Sequence, residues 1–376
     1  MKIITQISLF DDTQNENFGD LERLQKVFDN IPDDKLIRKL KEKRGKGRNE
    51  WPVEAMWNSF IASFIFDHDS IASLLRELNR NSQLRIICGF QPHIYSVLTN
   101  RKDEYGKRIK ENRYKLAPTA SAYTNFLNNL KECENELREM FNELVKYMYE
   151  NLKDFGEMVA ADGKAIQSFA TKISEKDSGN RGERDANWCK KEYTTTKEDG
   201  EKIVKTKKWF EFRLHLISDA TYELPIDFEV TKASNSEIKE TEQMLKNIKE
   251  KCPDKLEKCK YFFADKGYDK SRNSQRYGFH PKYNDKRIFR IPLKTDPRIF
   301  TKLARSSDKW KKLYKKRTSI ERINGRIDRD FKFEKHTIRG LKKMKMFLTM
   351  TFIIQLTLAK AKIESGITSG LAKHSA

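Results

Sequence analysis

Cysteine is scarce in this 376-residue chain, and its pattern excludes two classes of stabilising site. The five cysteines are odd in number and include no Cys-x-x-Cys pair. Such a pattern favours neither a disulfide framework nor a structural zinc site, and a reducing cytosol is the default location. Bulky core material comes instead from 23 phenylalanines and 13 tyrosines, although only 37% of the residues are hydrophobic.

Long apolar segments are also missing. The longest run, residues 347–359, spans 13 residues and contains three threonines. It is too short to cross a bilayer and predicts a buried core helix. Residues 1–12 lack the charged-then-apolar layout of a signal peptide. We therefore expect a cytoplasmic protein with no membrane partner.

Basic residues are abundant and unevenly distributed. Lys and Arg number 76 against 55 Asp and Glu, which gives a net charge of +21 and implies a polyanionic partner, either nucleic acid or an anionic membrane surface. Residues 286–345 hold 22 of the basic and only six of the acidic residues. Charge concentrated in this way favours a phosphodiester substrate. Solvated basic faces of a lysine-rich protein are the alternative explanation.

Three carboxylates stand in contexts suited to a shared metal site. Asp162 and Asp265 each follow a short apolar run, residues 158–161 and 261–264, which predicts a buried strand ending in an acid. Glu321 lies in a helical stretch. Ligands of open α/β sheets collect at the carboxyl ends of strands, so the three acids can converge. An isolated Asp-Gly pair more often marks a turn, and only the trio favours a site.

The chemistry of the three acids indicates Mg²⁺. This ion prefers hard oxygen ligands and keeps several waters, so a few carboxylates suffice and substrate phosphate completes the shell. Two ions roughly 3.5–4 Å apart stabilise both the attacking and the leaving oxygen at phosphorus. We therefore expect two Mg²⁺ ions, for which Mn²⁺ can substitute.

Periodicity predicts a mostly α-helical amino-terminal module. Apolar spacing and capping residues indicate helices over residues 52–64, 70–78, 118–130 and 134–152. The polar segment 99–115 is predicted to be an exposed loop. Domain limits are expected at 1–153 for a DNA-binding and assembly module, 154–362 for a catalytic domain and 363–376 for a flexible tail.

Strand signals begin at Met158. Runs at 209–217, 224–230, 261–264 and 288–293 predict strands, with an amphipathic helix over 236–250 and a helix over 309–330. The fold class is therefore α/β, a mixed sheet of about five strands flanked by helices.

The predicted helix over 309–330 carries one polar and one apolar stripe. At about 100° per residue the polar stripe groups Tyr314, Arg317, Glu321, Asn324 and Asp328. The apolar stripe consists of Ile320, Ile323 and Ile327, which can pack on the sheet and aim Glu321 at the strand ends. Arg317 is placed to bind a phosphate through two hydrogen bonds, and Tyr314 to stack on a base or bond a phosphate. A simple surface ion pair between Arg317 and Glu321 is the alternative.

With these motifs the sequence resembles bacterial insertion-sequence transposases of the DDE type. Those proteins have a ribonuclease-H-like catalytic domain whose third acid lies in a Y-x2-R-x3-E signature, matched here by Tyr314, Arg317 and Glu321. Similarity continues around Asp162 and Asp265, through residues 336–341, and in the amino-terminal segments 47–53 and 70–89.

The resemblance implies that Asp162, Asp265 and Glu321 are catalytic and bind two Mg²⁺ ions that drive hydrolysis of a DNA strand and its joining to a target. Nucleic-acid contacts are expected from Tyr314, Arg317, Lys316, Arg322, Arg326, Arg329, Lys164 and Lys266. One departure stands out. Many relatives have a lysine or arginine seven positions after the glutamate, where this chain has Asp328.

The leading hypothesis is a DNA transposase that binds terminal inverted repeats and target DNA as a homodimer or larger assembly. A metal-dependent nuclease of the same fold, without strand transfer, is the second hypothesis. A decayed copy that binds DNA without cutting it is the third.

Overall fold

The computed structural model describes residues 19–45, 50–173, 182–196, 202–251, 257–264, 287–288 and 307–374. Contacts along the chain divide it into two compact units, one of residues up to Met140 and one from Phe141 onward. The predicted α/β class is confirmed, with helices in the first unit and a mixed sheet in the second.

The predicted amino-terminal helices are all present. Their bounds are α1 Asp20–Asn30, α2 Asp34–Arg44, α3 Val53–Ile65, α4 Ile71–Arg80, α5 Ser82–Cys88, α6 Ala120–Lys131 and α7 Glu134–Asn151. Helix α4 begins where predicted because the Ser70 hydroxyl accepts a hydrogen bond from the Ser73 backbone N–H at 3.2 Å. Helix α3 forms the centre of this core, where Trp57 and Phe60 are fully buried.

The prediction of an exposed loop over residues 99–115 is wrong, because most of this segment forms two strands. Strands β1 (His93–Lys102) and β2 (Arg108–Lys115) form an antiparallel hairpin. Its turn closes because Asp103 Oδ1 accepts hydrogen bonds from the backbone N–H groups of Tyr105 and Lys107, at 3.0 and 2.8 Å. The error arose because the end of β1 and most of β2 carry charged, exposed side chains, so residues 99–115 lack the apolar alternation that marks a half-buried strand.

The described residues of the second unit form a six-stranded mixed sheet. Its strands are β3 Met158–Gln167, β4 Asn187–Thr196, β5 Lys202–Asp219, β6 Pro225–Lys232, β7 Tyr261–Phe263 and β8 Arg287–Ile288. The order is β4-β5-β3-β7-β8, and β6 pairs with β5. Pairing is antiparallel for β3 with β5 and for β5 with β6, and parallel for β3, β7 and β8. The strand β4 was not among those predicted.

Strand β3 does not end at Asp162, which corrects the expectation of a strand-end acid. The strand continues to Gln167 in antiparallel pairing with β5, and Asp162 lies opposite Leu216. Its parallel pairing with β7 stops earlier, at Ala160 and Phe263. Asp162 therefore lies two residues beyond the parallel part of the sheet, and the Asp-Gly pair is not a hairpin turn.

Further α-helices that the structure describes in the second unit are α8 Glu237–Lys251, α9 Asp308–Lys315, α10 Thr318–Arg329 and α11 Leu341–Glu364. The single helix predicted over 309–330 is therefore two helices. The break follows from a local competitor, because the Thr318 hydroxyl donates to the Lys315 carbonyl at 2.8 Å. The chain tightens there, with Arg317 N–H bonded to the Tyr314 carbonyl at 3.0 Å.

Helix α11 confirms the buried core helix predicted from residues 347–359. The helix is long and apolar enough to cross a membrane, but 78% of its most apolar 18-residue stretch is buried inside the protein. Phe352 of α11 is fully buried and lies with its ring centroid 4.7 Å from that of Phe228 on β6. Burial against the sheet explains why the helix is apolar on all sides.

Candidate active site

Helix α10 is anchored to the sheet by the predicted isoleucine stripe. Ile320, Ile323 and Ile327 are at most 1% exposed, and α10 packs against β3. Burying each isoleucine contributes roughly 1.5–3 kcal/mol relative to an exposed position. Because these three isoleucines are buried, they fix the rotation of α10 about its own axis. This rotation decides which of its polar side chains lie on each flank of the stripe.

On one side of the stripe, two successive turns of α10 reach β3. The Asn324 amide nitrogen lies 3.5 Å from Asp162 Oδ2. One turn later, Asp328 Oδ2 accepts a hydrogen bond from Lys164 Nζ at 2.5 Å. Glu321 lies on this same face, one turn before Asn324. The face that carries the proposed third acid is thus the one that contacts the strand of the first acid.

Glu321 forms the ion pair that was the alternative explanation for its position. Arg317 Nη2 lies 2.7 Å from Glu321 Oε1, and the Arg317 guanidinium lies 5.8 Å from the Tyr314 ring centroid. Tyr314 in turn stacks on Trp310 at 4.8 Å. The Glu321 side chain is 51% exposed, so this pair contributes only a few tenths of a kcal/mol. Such a weak pair leaves the Glu321 carboxylate available to a stronger partner.

On the other side of the stripe, α10 is tied to the turn between β5 and β6. Glu223 accepts a hydrogen bond from Arg322 Nε at 2.5 Å and one from Arg326. Burial by itself raises the pKa of Glu223, but the two guanidinium groups outweigh it and hold that pKa below its usual range. Glu223 also has a backbone φ of 59°, which costs a non-glycine residue about 1 kcal/mol or more.

Glu223 is the important residue that sequence patterns missed. It lies 99 positions before Arg322, in a turn without any motif. Arg322 and Arg326, expected to contact nucleic acid, are therefore engaged with a carboxylate. Their exposed fractions differ, since the Arg322 side chain is 51% and the Arg326 side chain 15% exposed.

Beside Asp162, Gly163 lies against the end of the Glu237 side chain. A Cβ there would lie 2.6 Å from Cδ of Glu237, whose carboxylate pairs with Arg213. Arg213 also bonds Glu211 at 2.6 Å. This network covers β3 immediately next to Asp162. His215, opposite Gly163 in the sheet, is fully buried, and burial together with Arg213 lowers the pKa of His215 to about 4, so it is neutral near pH 7.

The remaining sequence-predicted site residues are placed as follows. Arg329 is exposed and pairs with Asp330 at 2.5 Å, and Lys316 follows the last residue of α9. Asp265 and Lys266 lie outside the described residues. Within the described part of the chain, no group of three metal-ligating side chains occurs. Asp265 follows Phe263 by two positions, as Asp162 follows Ala160, the partner of Phe263 in the sheet.

The chemistry of the described residues fits a hard divalent cation. Asp162, Asn324 and Glu321 offer carboxylate and amide oxygens, the donors that Mg²⁺ prefers. Asn324 Oδ1 is buried and has no hydrogen-bond partner among the described residues, and the same holds for the Tyr314 hydroxyl. Buried polar atoms of this kind are rare without a ligand or water.

Comparison with protein families decides the assignment. The transposase DDE domain matches residues 162–356, which is just over half of the chain, and a transposase domain (DUF772) matches residues 9–102. The chain belongs to the insertion-sequence DDE transposases. No curated protein and no solved structure matched.

Family membership explains the architecture of the second unit. Its mixed sheet with flanking helices is the ribonuclease-H-like DDE domain. The matched region begins at Asp162 and includes α10 with Glu321. The transposase is accordingly an enzyme that acts on DNA, of a family that generally uses divalent metal ions.

Proposed function

We propose that the transposase performs Mg²⁺-dependent cleavage at transposon ends and then joins those ends to target DNA. The observation that carries this proposal is the approach of α10 to β3, with Asn324 at Asp162 and Glu321 on the same helix face. Asp265 would complete the site. The concentration of basic charge within residues 286–345 supports a phosphodiester substrate.

In this proposal Asp162, Asp265 and Glu321 hold two Mg²⁺ ions. When bound, the ions make first a water and then a 3′-hydroxyl nucleophilic and stabilise charge at phosphorus. The Arg317 guanidinium, which lies beside Glu321 at the edge of the proposed site, would bind a phosphate of the DNA through two hydrogen bonds. Tyr314, stacked on Trp310 and below Arg317, holds that guanidinium in place.

DNA contacts are proposed to extend from the site along basic side chains. The exposed Arg322 and Arg329 can reach phosphates, whereas Arg326 mainly holds α10 in position. Residues 1–153 would form the DNA-binding and assembly module and residues 154–362 the catalytic domain. We propose at least a homodimer, because two DNA ends are handled together, acting on the nucleoid in the cytoplasm.

A strand-transfer assay tests the proposal. The full chain is incubated with Mg²⁺, a supercoiled target plasmid and pre-cleaved duplexes taken from the DNA that borders its gene. Joined products are expected with these duplexes, but not with duplexes of the same length and scrambled sequence. Fragments without joined product would favour the nuclease, and binding without any metal-stimulated product would favour the decayed copy.

The Lys164–Asp328 pair gives a second prediction. Replacing Asp328→Asn removes a negative charge and frees Lys164, which is only 11% exposed while paired. We expect DNA affinity at 0.1 M salt to rise about fivefold and the salt dependence to steepen by about one counterion, because one further phosphate contact forms. Fluorescence anisotropy at several salt concentrations measures both quantities.

The matched control is Glu150→Gln, which removes an equal charge from an exposed pair with Lys146 on α7. It should leave DNA affinity unchanged. An equal rise in both variants would show a net-charge effect and refute a specific role for Lys164.

A further inference from the structure

The hairpin of β1 and β2 is a two-stranded sheet of its own. Neither strand pairs with any other strand among the described residues. Residues 100–110, which include the turn, are exposed throughout, and Tyr105 at the tip is 85% exposed. An isolated two-stranded ribbon is marginally stable in water by itself, and the exposed residues 100–110 are accessible to a binding partner.

The two faces of the ribbon differ in whether their basic side chains lie close to carboxylates. On the inner face, His93 and Lys115 lie 3.6 and 3.8 Å from Glu50. Further along that face, Arg101 lies 3.9 Å from Glu111. On the inner face Lys115 and Arg101 are therefore close to carboxylates of the same unit, whereas Arg113 forms no ion pair within the described residues.

The outer face presents positive charge without such neutralisation. Strand alternation places Arg108 and Lys110 there, and neither forms an ion pair within the described residues. Lys107 adds a third such cation at the turn. Residues 93–115 hold seven basic and three acidic residues, a surplus of four. The outer face thus has the charge of a surface that binds a polyanion.

The outer face also carries groups able to contact base edges. Ser96 donates a hydrogen bond to Asn112 Oδ1 at 2.8 Å, which leaves the Asn112 amide nitrogen as a donor toward solvent. Ile94 and Leu98 are 57% and 56% exposed on the same face. Amide groups bind adenine edges, and apolar side chains contact the thymine methyl group.

We propose that the outer face of this hairpin is a DNA-binding ribbon that enters the major groove of duplex DNA. The major groove, about 12 Å wide, admits a two-stranded β-ribbon. Arg108 and Lys110 contact the flanking phosphates, while Asn112 and its neighbours face the bases. This inference rests on the proposed function for its biological substrate, namely the ends of the element, but its binding chemistry is testable without cleavage.

Salt-dependent binding tests the ribbon. The full chain carrying Lys107→Gln, Arg108→Gln and Lys110→Gln is titrated against a fluorescent 30-base-pair duplex from the DNA that borders its gene. We expect affinity at 0.1 M salt to fall by about tenfold or more. The slope of log K against log salt should become shallower by about 2 to 3, because each phosphate that a cation neutralises adds about 0.9 to that slope.

The matched control carries Lys239→Gln, Lys246→Gln and Lys249→Gln, three exposed lysines of α8. It changes net charge by the same amount and should bind DNA as the unaltered chain does. Equal weakening of both variants, or unchanged binding by the hairpin variant, would overturn the proposal.

Photo-crosslinking provides a direct readout. The full chain with Tyr105→p-benzoylphenylalanine should crosslink to the duplex on irradiation. Crosslinks only to a second copy of the chain would instead identify the ribbon as a protein contact and refute DNA binding. If the hairpin binds DNA but the chain performs no strand transfer, the result would count against the proposed function alone. If the chain performs strand transfer but the hairpin substitutions leave DNA binding unchanged, the result would count against this inference alone.

Discussion

Replacing Asp162→Asn is expected to lower Mg²⁺-dependent cleavage of end-containing DNA by about a thousandfold or more. The substitution removes a carboxylate from the proposed pair of metal ions, and losing roughly 4 kcal/mol of charge stabilisation in the transition state corresponds to that factor. Asp265→Asn and Glu321→Gln are expected to have effects of the same size. Single-turnover cleavage of a labelled duplex measures the loss.

Two controls separate metal binding from folding. Asp330→Asn removes an acid just after the end of α10 that pairs with Arg329, and it should retain most of the activity. Asp162→Cys should be inactive with Mg²⁺ and regain part of its activity with Mn²⁺, because a thiolate is a poor ligand for the harder ion. Undiminished cleavage by Asp162→Asn, with DNA binding and thermal unfolding also unchanged, would remove this carboxylate from the mechanism.

Replacing Glu223→Ala is expected to loosen α10. The change leaves Arg326, which is 15% exposed, without its carboxylate. Removing one partner of a buried ion pair costs about 3–5 kcal/mol, and partial exposure of Arg322 reduces this to about 3 kcal/mol here. Cleavage should fall as well, because α10 positions Glu321. Urea unfolding and hydrogen exchange of peptides within residues 318–329 measure the loss.

The matched control for this prediction is Glu157→Ala. Glu157 pairs with Lys260 at 2.6 Å, but Lys260 is 60% exposed, so the expected loss is below about 1 kcal/mol. Glu223→Gln should lie between the two, since its amide can accept one of the two hydrogen bonds. Equal losses for Glu223→Ala and Glu157→Ala would show that Glu223 does not hold α10.

Patterns that depend on near neighbours were predictable. The capping Ser70, the apolar residues of α3 and the isoleucine stripe of α10 all follow from helical spacing, and the structure places them as expected. The buried helix α11 was predictable because its apolar run has no compensating polar face. The proposed acids were identified for a different reason, since Asp162 and Asp265 each follow a short apolar run and Glu321 lies in a signature known from the family that the sequence resembles.

Features that depend on strand partners were not predictable to the same degree. The part of the hairpin that was predicted as a loop, residues 99–115, carries mostly exposed and charged side chains, so no apolar alternation marked it. The continuation of β3 beyond Asp162 depends on pairing with β5, some fifty residues further along the chain. A strand of this kind is stabilised by its neighbour's hydrogen bonds rather than by its own residues.

The sequence by itself determined the class of the molecule, its basic character and the three carboxylates proposed for catalysis, because these depend on composition and short motifs. Only the tertiary structure decided that α10 faces β3 through Asn324 and Asp328, and that Glu223 holds its other side. The physical reason is the same for both contacts. A pairing of polar groups about a hundred residues or more apart depends on where packing places two backbones, and local periodicity carries no information about that distance.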